Sequence, residues 1–277
     1  MRRIFLSLSL LLTFNILNAE KVHIINSGLS DESYDVSLIS STDDNIVISL
    51  SINTFSTHKV ETPRGEAYVI TADDMAPLSK AGQPNIPTLS IPVIVNDHSR
   101  MDVRIVETEY IDYQDFDIAP SKGDFPRSIN PEDVPFSYGE EYNKDAFFPS
   151  TYVNLDSPYI LRDFRGQNVK VTPFAYNPIT RVLRVYNKMT IEVYSSSDRG
   201  ENEKDRHSEV IRIDNDFEQI YGSRFINYQE SNAKYTVVGE DGGLLIICHD
   251  AFMAAMEPFV EWKNTIGRKT TIVGTSI

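Results

Sequence analysis

Val182-Leu183-Arg184-Val185-Tyr186-Asn187-Lys188-Met189-Thr190-Ile191-Glu192-Val193-Tyr194 is the stretch whose pattern decides the fold. Leu183, Val185, Met189, Ile191 and Val193 share one face, and Arg184, Tyr186, Lys188, Thr190, Glu192 and Tyr194 share the other. Successive strand residues point to opposite sides, so this alternation reads as a strand with one buried face. Asn177-Pro178-Ile179-Thr180, just before it, reads as a hairpin turn. The other arm is then Val169–Tyr176, bulged or at an edge because Pro173 has no N–H to give to a ladder.

Working toward the N-terminus, residues 20–115 repeat the same grammar. Val22–Ile25, Val36–Ile39, Ile46–Ile52, Phe55–Val60 and Ala67–Thr71 are rich in β-branched and aromatic residues, with turn clusters such as Ser41-Thr42-Asp43-Asp44 between several of them. In Met101–Ile111, Val103, Ile105 and Glu107 fall on one face, and Arg104, Val106, Thr108 and Tyr110 on the other. Lys80-Ala81-Gly82-Gln83-Pro84-Asn85-Ile86-Pro87 is a Gly/Pro turn before a strand at Thr88–Val95, and Pro84, Pro87 and Pro92 imply that this strand is irregular or at an edge. Helical periodicity is missing throughout. The expectation is a mainly β chain, with an antiparallel β-sandwich over residues 20–195.

Toward the C-terminus the pattern changes. Ser195–Ser208 is polar and charged and opens a linker and junction at 196–234. Within it, Phe217, Ile220, Tyr221 and Phe225 stand at helical spacing, and Gln229–Lys234 has no large apolar anchor. Residues 235–277 then read as the start of an α/β domain. Leu244-Leu245-Ile246-Ile247-Cys248 is the apolar run of a strand covered on both faces, and Asp250 is placed to cap a helix that carries Phe252, Met256, Phe259, Val260 and Ile266. Gly267 supplies the helix end, and Thr270–Val273 is a second strand. One such unit cannot bury a core alone.

The 277 residues are 41% hydrophobic and 24% charged, which is globular rather than disordered. Residues 20–235 carry a formal charge of −14, the same as the whole chain, because the +2 of residues 1–19 and the −2 of residues 236–277 cancel. That balance argues against nucleic acid and against anionic membrane surfaces as partners. Arg2, Arg3, the apolar Ile4–Leu12 and Leu17-Asn18-Ala19 form a secretory signal peptide over residues 1–19, with its cut between Ala19 and Glu20. The apolar core is too short to stay as a membrane anchor, so no stable insertion is expected after the signal is removed. The lone cysteine, Cys248, excludes an internal disulfide.

Catalytic chemistry is hard to place in this chain. Cys248-His249 are consecutive strand residues, whose side chains diverge, so they do not make a dyad. The five histidines show no metal-ligand spacing, and no phosphate loop or serine elbow is present. No cofactor and no metal are expected. Ile118–Ser150 stands out instead. It holds Pro120, Pro126, Pro131, Pro135 and Pro149, and reads as a long surface loop of a length usually kept for a task. Its Lys122, Arg127 and Lys144 are candidates to enter an acidic specificity pocket, and an ordinary solvated cation is the plain alternative for each.

Four stretches carry a family resemblance: Gly82-Gln83-Pro84-Asn85-Ile86-Pro87, Tyr159-Ile160-Leu161-Arg162-Asp163-Phe164-Arg165-Gly166, Tyr176 through Tyr186, and Tyr235-Thr236 through Trp262-Lys263-Asn264 to Gly267. Through them the chain resembles the secreted precursors of the gingipain family of cysteine endopeptidases. The resemblance implies a β-sandwich propeptide that assists folding and holds the enzyme latent, followed by a caspase-like α/β catalytic domain. It implies that the catalytic His and Cys lie beyond this chain, which is then inactive by itself, and that the partner is the cognate catalytic domain. It places the maturation cut at Lys234–Tyr235, with Arg224 as the other option, and the protein in the periplasm and then at the cell surface or outside. Since such enzymes cut after Arg or Lys, it makes Arg127, framed by Pro126 and Pro131, the first candidate for the pocket, ahead of Lys122 and Lys144. A different class of function is a stand-alone exported β-sandwich module that binds protein or carbohydrate.

Overall fold

The computed structural model describes residues 20–26, 32–206, 212–228, 236–239 and 242–276, and among these the chain is mainly β. The strands run β1 (Lys21–Ile24), β2 (Tyr34–Ser41), β3 (Asn45–Ile52), β4 (Thr54–Thr62), β5 (Gly65–Thr71) and β6 (Ala76–Pro77). They continue as β7 (Pro87–Ile94), β8 (Ser99–Tyr113), β9 (Val153–Leu155), β10 (Tyr159–Leu161), β11 (Phe164–Val171), β12 (Phe174–Asn177) and β13 (Val182–Arg199). Then follow β14 (Arg212–Asp214), helix α1 (Asn215–Arg224), β15 (Thr236–Val238), β16 (Leu244–Cys248), helix α2 (Asp250–Thr265) and β17 (Thr270–Gly274). The chain forms two compact units. Residues 1–206 with 225–230 make the first, and residues 207–224 with 231–277 make the second.

The first unit holds three antiparallel sheets. Their orders are β1-β4-β5, β10-β11-β7-β6 with β9 also on β11, and β12-β13-β3-β2 with β8 also on β13. β13 is the axis of the third sheet. Its Ile191 lies opposite Ile48 of β3 and Ile105 of β8. Leu183, Val185, Met189, Ile191 and Val193 have no exposed surface, so the face expected to be apolar is the buried one. They share one hydrophobic core with Leu50 of the neighbouring β3 and with Val93, Val169 and Val171 of the second sheet.

Three expectations need correcting here. The arm read as Val169–Tyr176 is two strands. β11 ends at Val171 and β12 begins at Phe174 in a different sheet, because Pro173 cannot continue the ladder and the chain changes sheet there. Second, the segment read as linker from residue 196 begins as strand, since β13 runs on to Arg199 opposite Ser99. The residues after it are held by ion pairs of Arg199 with Glu203 and Arg206 with Asp97. A polar sequence becomes ordered here because its backbone has a strand to pair with.

Arg165 fixes the same region from inside. It is 1% exposed, and its guanidinium donates to the carbonyls of Asn96, Ser99, Glu201 and Asn202. Burial lowers its pKa, while Asp97 and Glu203 oppose that shift. Arginine stays charged even so, and the carbonyl oxygens take the place of water around it.

Phe225, Asn227 and Tyr228 return to the first unit and are buried. The Asn227 amide acts as a short strand for β7. Its Oδ1 accepts from the Ile94 N–H at 2.8 Å and its Nδ2 donates to the Ile94 carbonyl at 2.9 Å. A Cβ on Gly166 would lie 2.7 Å from the Phe225 ring, so a larger residue there would push that ring aside.

β1 is pinned by His23. Its ring stacks on Phe55 with centroids 4.4 Å apart and lies edge-on to Tyr113, and Nε2 is 3.1 Å from Thr57 Oγ1. Burial, and after it Lys21, hold the imidazole below its ordinary pKa. A group that resists protonation when folded contributes its stability above the unfolded pKa of about 6.5 and loses it as pH falls. The urea midpoint is therefore expected to drop between about pH 7 and pH 5, more steeply for the natural chain than for His23→Phe. Parallel profiles for the two proteins would show that His23 does not set this slope.

In the second unit, β14 and β15 pair in parallel, as do β16 and β17 around α2. The strand-helix-strand pattern read at residues 244–273 is present, and Gly267 takes the left-handed φ of +85° that ends α2. The third correction concerns its details. His249, not Asp250, is the N-cap, with Nδ1 accepting the Ala251 N–H at 3.1 Å. β16 is also not covered on both faces, since Leu245 and Ile247 are 59% and 66% exposed.

Candidate functional site: the 118–150 loop

The long proline-rich segment is irregular, with two short 3-10 turns at Pro131–Asp133 and Glu140–Asn143. Its ends are stitched down. Ile118 and Ala119 are buried, and the Ala119 N–H donates to Tyr68 O at 2.8 Å. Tyr142 is 5% exposed and its hydroxyl donates to the Ile118 carbonyl at 2.9 Å. Burial raises the Tyr142 pKa strongly, so this donor stays protonated. Arg64 lies 4.2 Å over the Tyr138 ring, which meets Tyr142 edge-on.

The Gly82-Gln83 turn is the clamp for both stems. Gly82 N–H donates to Ser121 O at 2.9 Å, Ser121 N–H to Gln83 O at 2.7 Å, and Gly139 N–H to Gly82 O at 2.8 Å. A Cβ on Gly139 would fall 2.8 Å from that Gly82 carbonyl, and Gly82 itself has φ of +82°. Neither position tolerates a side chain without moving the stems. Sequence reasoning registered Gly82 only as a turn residue. Nothing local in a sequence reports that a turn grips a segment 57 positions later, as Gly82 grips Gly139.

Between the stems the three basic candidates take different situations. The Lys122 ammonium donates to the Pro131 carbonyl at 2.7 Å and lies 4.4 Å over the Phe136 ring. Lys144 pairs with Glu141 at 2.9 Å. Arg127 is exposed at the tip of a turn closed by the Ile129 N–H and the Pro126 carbonyl at 2.9 Å. Other arginines of the first unit are engaged. Arg64 lies on Tyr138, Arg165 is enclosed by carbonyls, and Arg100, Arg104, Arg162, Arg181, Arg184, Arg199 and Arg206 each face a carboxylate. Arg127 alone among the described arginines of that unit has no hydrogen-bond, ion-pair or ring partner among the described residues. What this arrangement can do chemically is present one unpaired guanidinium on a preformed turn.

Elsewhere the described residues give little. Cys248 is partly exposed, and the His249 ring is committed to its helix cap and packs edge-on to Phe252. No group of three or more His, Cys, Asp or Glu among the described residues is arranged to hold a metal ion. No helix among them is long and apolar enough to cross a membrane. Glu20 is exposed, while Ala19, Lys234 and Tyr235 lie outside the described residues.

Comparison with known proteins adds the following. The Propeptide_C25 family matches residues 28–235. Gingipain R1 of Porphyromonas gingivalis is 34% identical over 241 residues, which are 86% of this chain and 24% of the relative. Gingipain R2 of the same species is 36% identical over 219 residues, 77% of this chain and 29% of the relative. The matched region thus spans 24–29% of the length of these curated relatives. A solved complex of P. gingivalis RgpB pro- and mature domains contains a chain 35% identical, with a TM-score of 0.65 over 70% of this chain and 97% of that one. A structure on the zymogenic latency of gingipain K, 19% identical, has a TM-score of 0.55 over 65% of this chain and 100% of that one, a likeness of fold.

Proposed function

The chain belongs to the Propeptide_C25 family, and from that premise we propose that it is the pro-region of a gingipain-like cysteine peptidase precursor, which assists folding and holds the peptidase latent. The first unit is the β-sandwich propeptide, and the β16-α2-β17 segment is the opening of a caspase-like α/β catalytic domain. Residues 1–19 direct export, with the cut between Ala19 and Glu20, and the maturation cut falls at Lys234–Tyr235. Burial of Phe225 next to Arg224 speaks against a cut there. The protein acts in the periplasm and then at the cell surface or outside, and its partner is the peptidase domain.

The observation that carries the latency reading is the unpaired Arg127 on its clamped turn. Enzymes that cut after Arg or Lys need an acidic pocket, and a guanidinium held in advance enters such a pocket with little entropy to lose. The test is a titration of the purified chain against the mature domain of gingipain R2, with a chromogenic arginyl substrate. Inhibition with a Kd near or below about 1 μM is expected. Unchanged hydrolysis at about 100 μM chain would remove the latency role.

A further inference from the structure

Tyr159–Gly166, one of the four stretches that carry the family resemblance, forms the hairpin of β10 and β11. Leu161 lies opposite Phe164, and Arg162 turns the chain with a left-handed φ of +46°. This hairpin grips two segments that come much later in the chain. The first is residues 199–206. The Arg165 guanidinium donates to the carbonyls of Glu201 and Asn202 at 2.7 and 3.2 Å. The Arg162 carbonyl accepts from Lys204 Nζ at 2.7 Å, and Pro158 O, just before the hairpin, accepts from Asn202 Nδ2 at 2.7 Å. The second is residues 225–228. Phe225 stacks on Tyr159 with centroids 6.4 Å apart, in the space that Gly166 leaves open, and Tyr228 meets Phe164 edge-on at 5.8 Å.

These two segments flank residues 207–224, and Lys204, Arg206 and Arg224 lie in them or beside them. We propose that the Tyr159–Gly166 hairpin is a processing guard: by holding 199–206 and 225–228 it keeps the bonds after Lys204, Arg206 and Arg224 from being cut, and leaves the junction beyond Tyr228 to an enzyme that cuts after Arg or Lys.

A protease binds its substrate as an extended chain on both sides of the scissile bond, so a bond in anchored structure must open before it is cut. Before the Arg224–Phe225 bond the chain is helix α1, and after it Phe225, Asn227 and Tyr228 are buried. The Ile226 N–H donates to Pro92 O at 3.2 Å, and the Asn227 amide is bonded to both backbone groups of Ile94. The Lys204 N–H donates to Asp97 O at 2.9 Å while its ammonium is spent on Arg162, and Arg206 is paired with Asp97. A cation already bound in this way is not free to enter an acidic pocket. By composition the polar, charged run from Gly200 to Arg206 is the natural target for a protease. The hairpin removes that target by supplying partners. Arg212, a further basic residue before the junction, lies in the ladder of β14 with β15. The bearing on maturation rests on the proposed cut at Lys234–Tyr235, whereas the shielding rests on this geometry.

The experiment treats the full chain with trypsin under folding conditions and follows the bonds between residues 196 and 236 by mass spectrometry. In the natural chain the bond after Lys234 is expected to go first, with those after Lys204, Arg206 and Arg224 resistant. Asn227→Ala removes both bonds to Ile94 and is expected to speed cutting after Arg224 by about tenfold or more. If it fails to fold, Asn227→Asp, which keeps the acceptor and loses the donor, takes its place. Asn202→Ala removes the bond to Pro158 and strains a φ of +49°, and is expected to open the bonds after Lys204 and Arg206 instead. Ile48→Val, in the core, is the control for general loss of stability, with urea midpoints measured for all. The inference is overturned if the three upstream bonds of the natural chain are cut as fast as the one after Lys234. It is overturned equally if neither asparagine variant exposes its own bonds, or if Ile48→Val exposes the same bonds to the same degree. If Lys234 resists while the variants open the upstream bonds, the assigned maturation cut is wrong and the guard stands.

Discussion

Arg127→Ala is expected to weaken inhibition of the mature peptidase by about 2–5 kcal/mol, roughly 30-fold to several thousand-fold in the inhibition constant. The size follows from losing a charged contact that is dry when bound and has been organised in advance. In the free chain Arg127 has no partner among the described residues to give up. Its turn is already closed by Pro126 and Ile129, and its stems are clamped through Gly82 and Gly139. Arg127→Lys is expected to fall between, because an ammonium cannot make the paired fork to a carboxylate. Lys122→Ala and Lys144→Ala are expected to change little at the pocket, since both ammonium groups serve the loop itself. If Arg127→Ala inhibits as well as the natural chain while one of the lysine variants does not, the pocket contact belongs to that lysine.

The second large effect concerns stability. Arg165→Met is expected to lower the unfolding free energy by about 3–5 kcal/mol, measured by urea denaturation of the full chain. Methionine fills most of the space but donates nothing. The carbonyls of Asn96, Ser99, Glu201 and Asn202 then lose their common donor in a site where the arginine was 1% exposed. An unmet buried carbonyl costs on the order of 1–3 kcal/mol, less for those that water can reach. Arg104, exposed beside Glu192, is the control, and its loss is expected to be scarcely measurable. A loss below about 1 kcal/mol for Arg165→Met would mean that water readily replaces the guanidinium.

The parts of the fold legible in the sequence were those set by local pattern. The alternation in Val182–Tyr194, the Asn177 turn and the strand-helix-strand run around Asp250–Thr265 each follow from side-chain period and turn chemistry. In the Asn177 turn, Oδ1 accepts from the N–H groups of Ile179 and Thr180, which is the local device that residue offers. What stayed hidden depends on distant partners. A Thr172-Pro173 step between sheets is indistinguishable from a bulge until both sheets are known. Ser195–Arg199 looks like solvent-facing chain, and is strand only because β8 lies beside it. The helical spacing of Phe217, Ile220 and Tyr221 was readable, but the pairing of β14 with β15 has no local signal. Of the candidate site, the loop and its three cations were readable from proline content and charge. Only the geometry separates Arg127 from the two lysines, because it reveals which ammonium groups are spent on the loop.

The pairing of β13 with β3 also has a bearing on the order of events in time. Ile191 meets Ile48, 143 positions earlier in the chain, and pairings so far apart in sequence form slowly because the closure entropy comes first. In a chain that emerges from its N-terminus, β3 has only β2 beside it until β13 has arrived, and β13 is the last of the described strands that the first unit receives. Until then the apolar face of Ile46, Ile48, Leu50 and Ile52 stays available to factors that bind unfolded chains. Once β13 docks, that face is sealed, and fewer than 40 residues separate Arg199 from Thr236. The pro-region thus completes itself just as the first strand of the next unit comes within reach, which is the schedule a folding template needs.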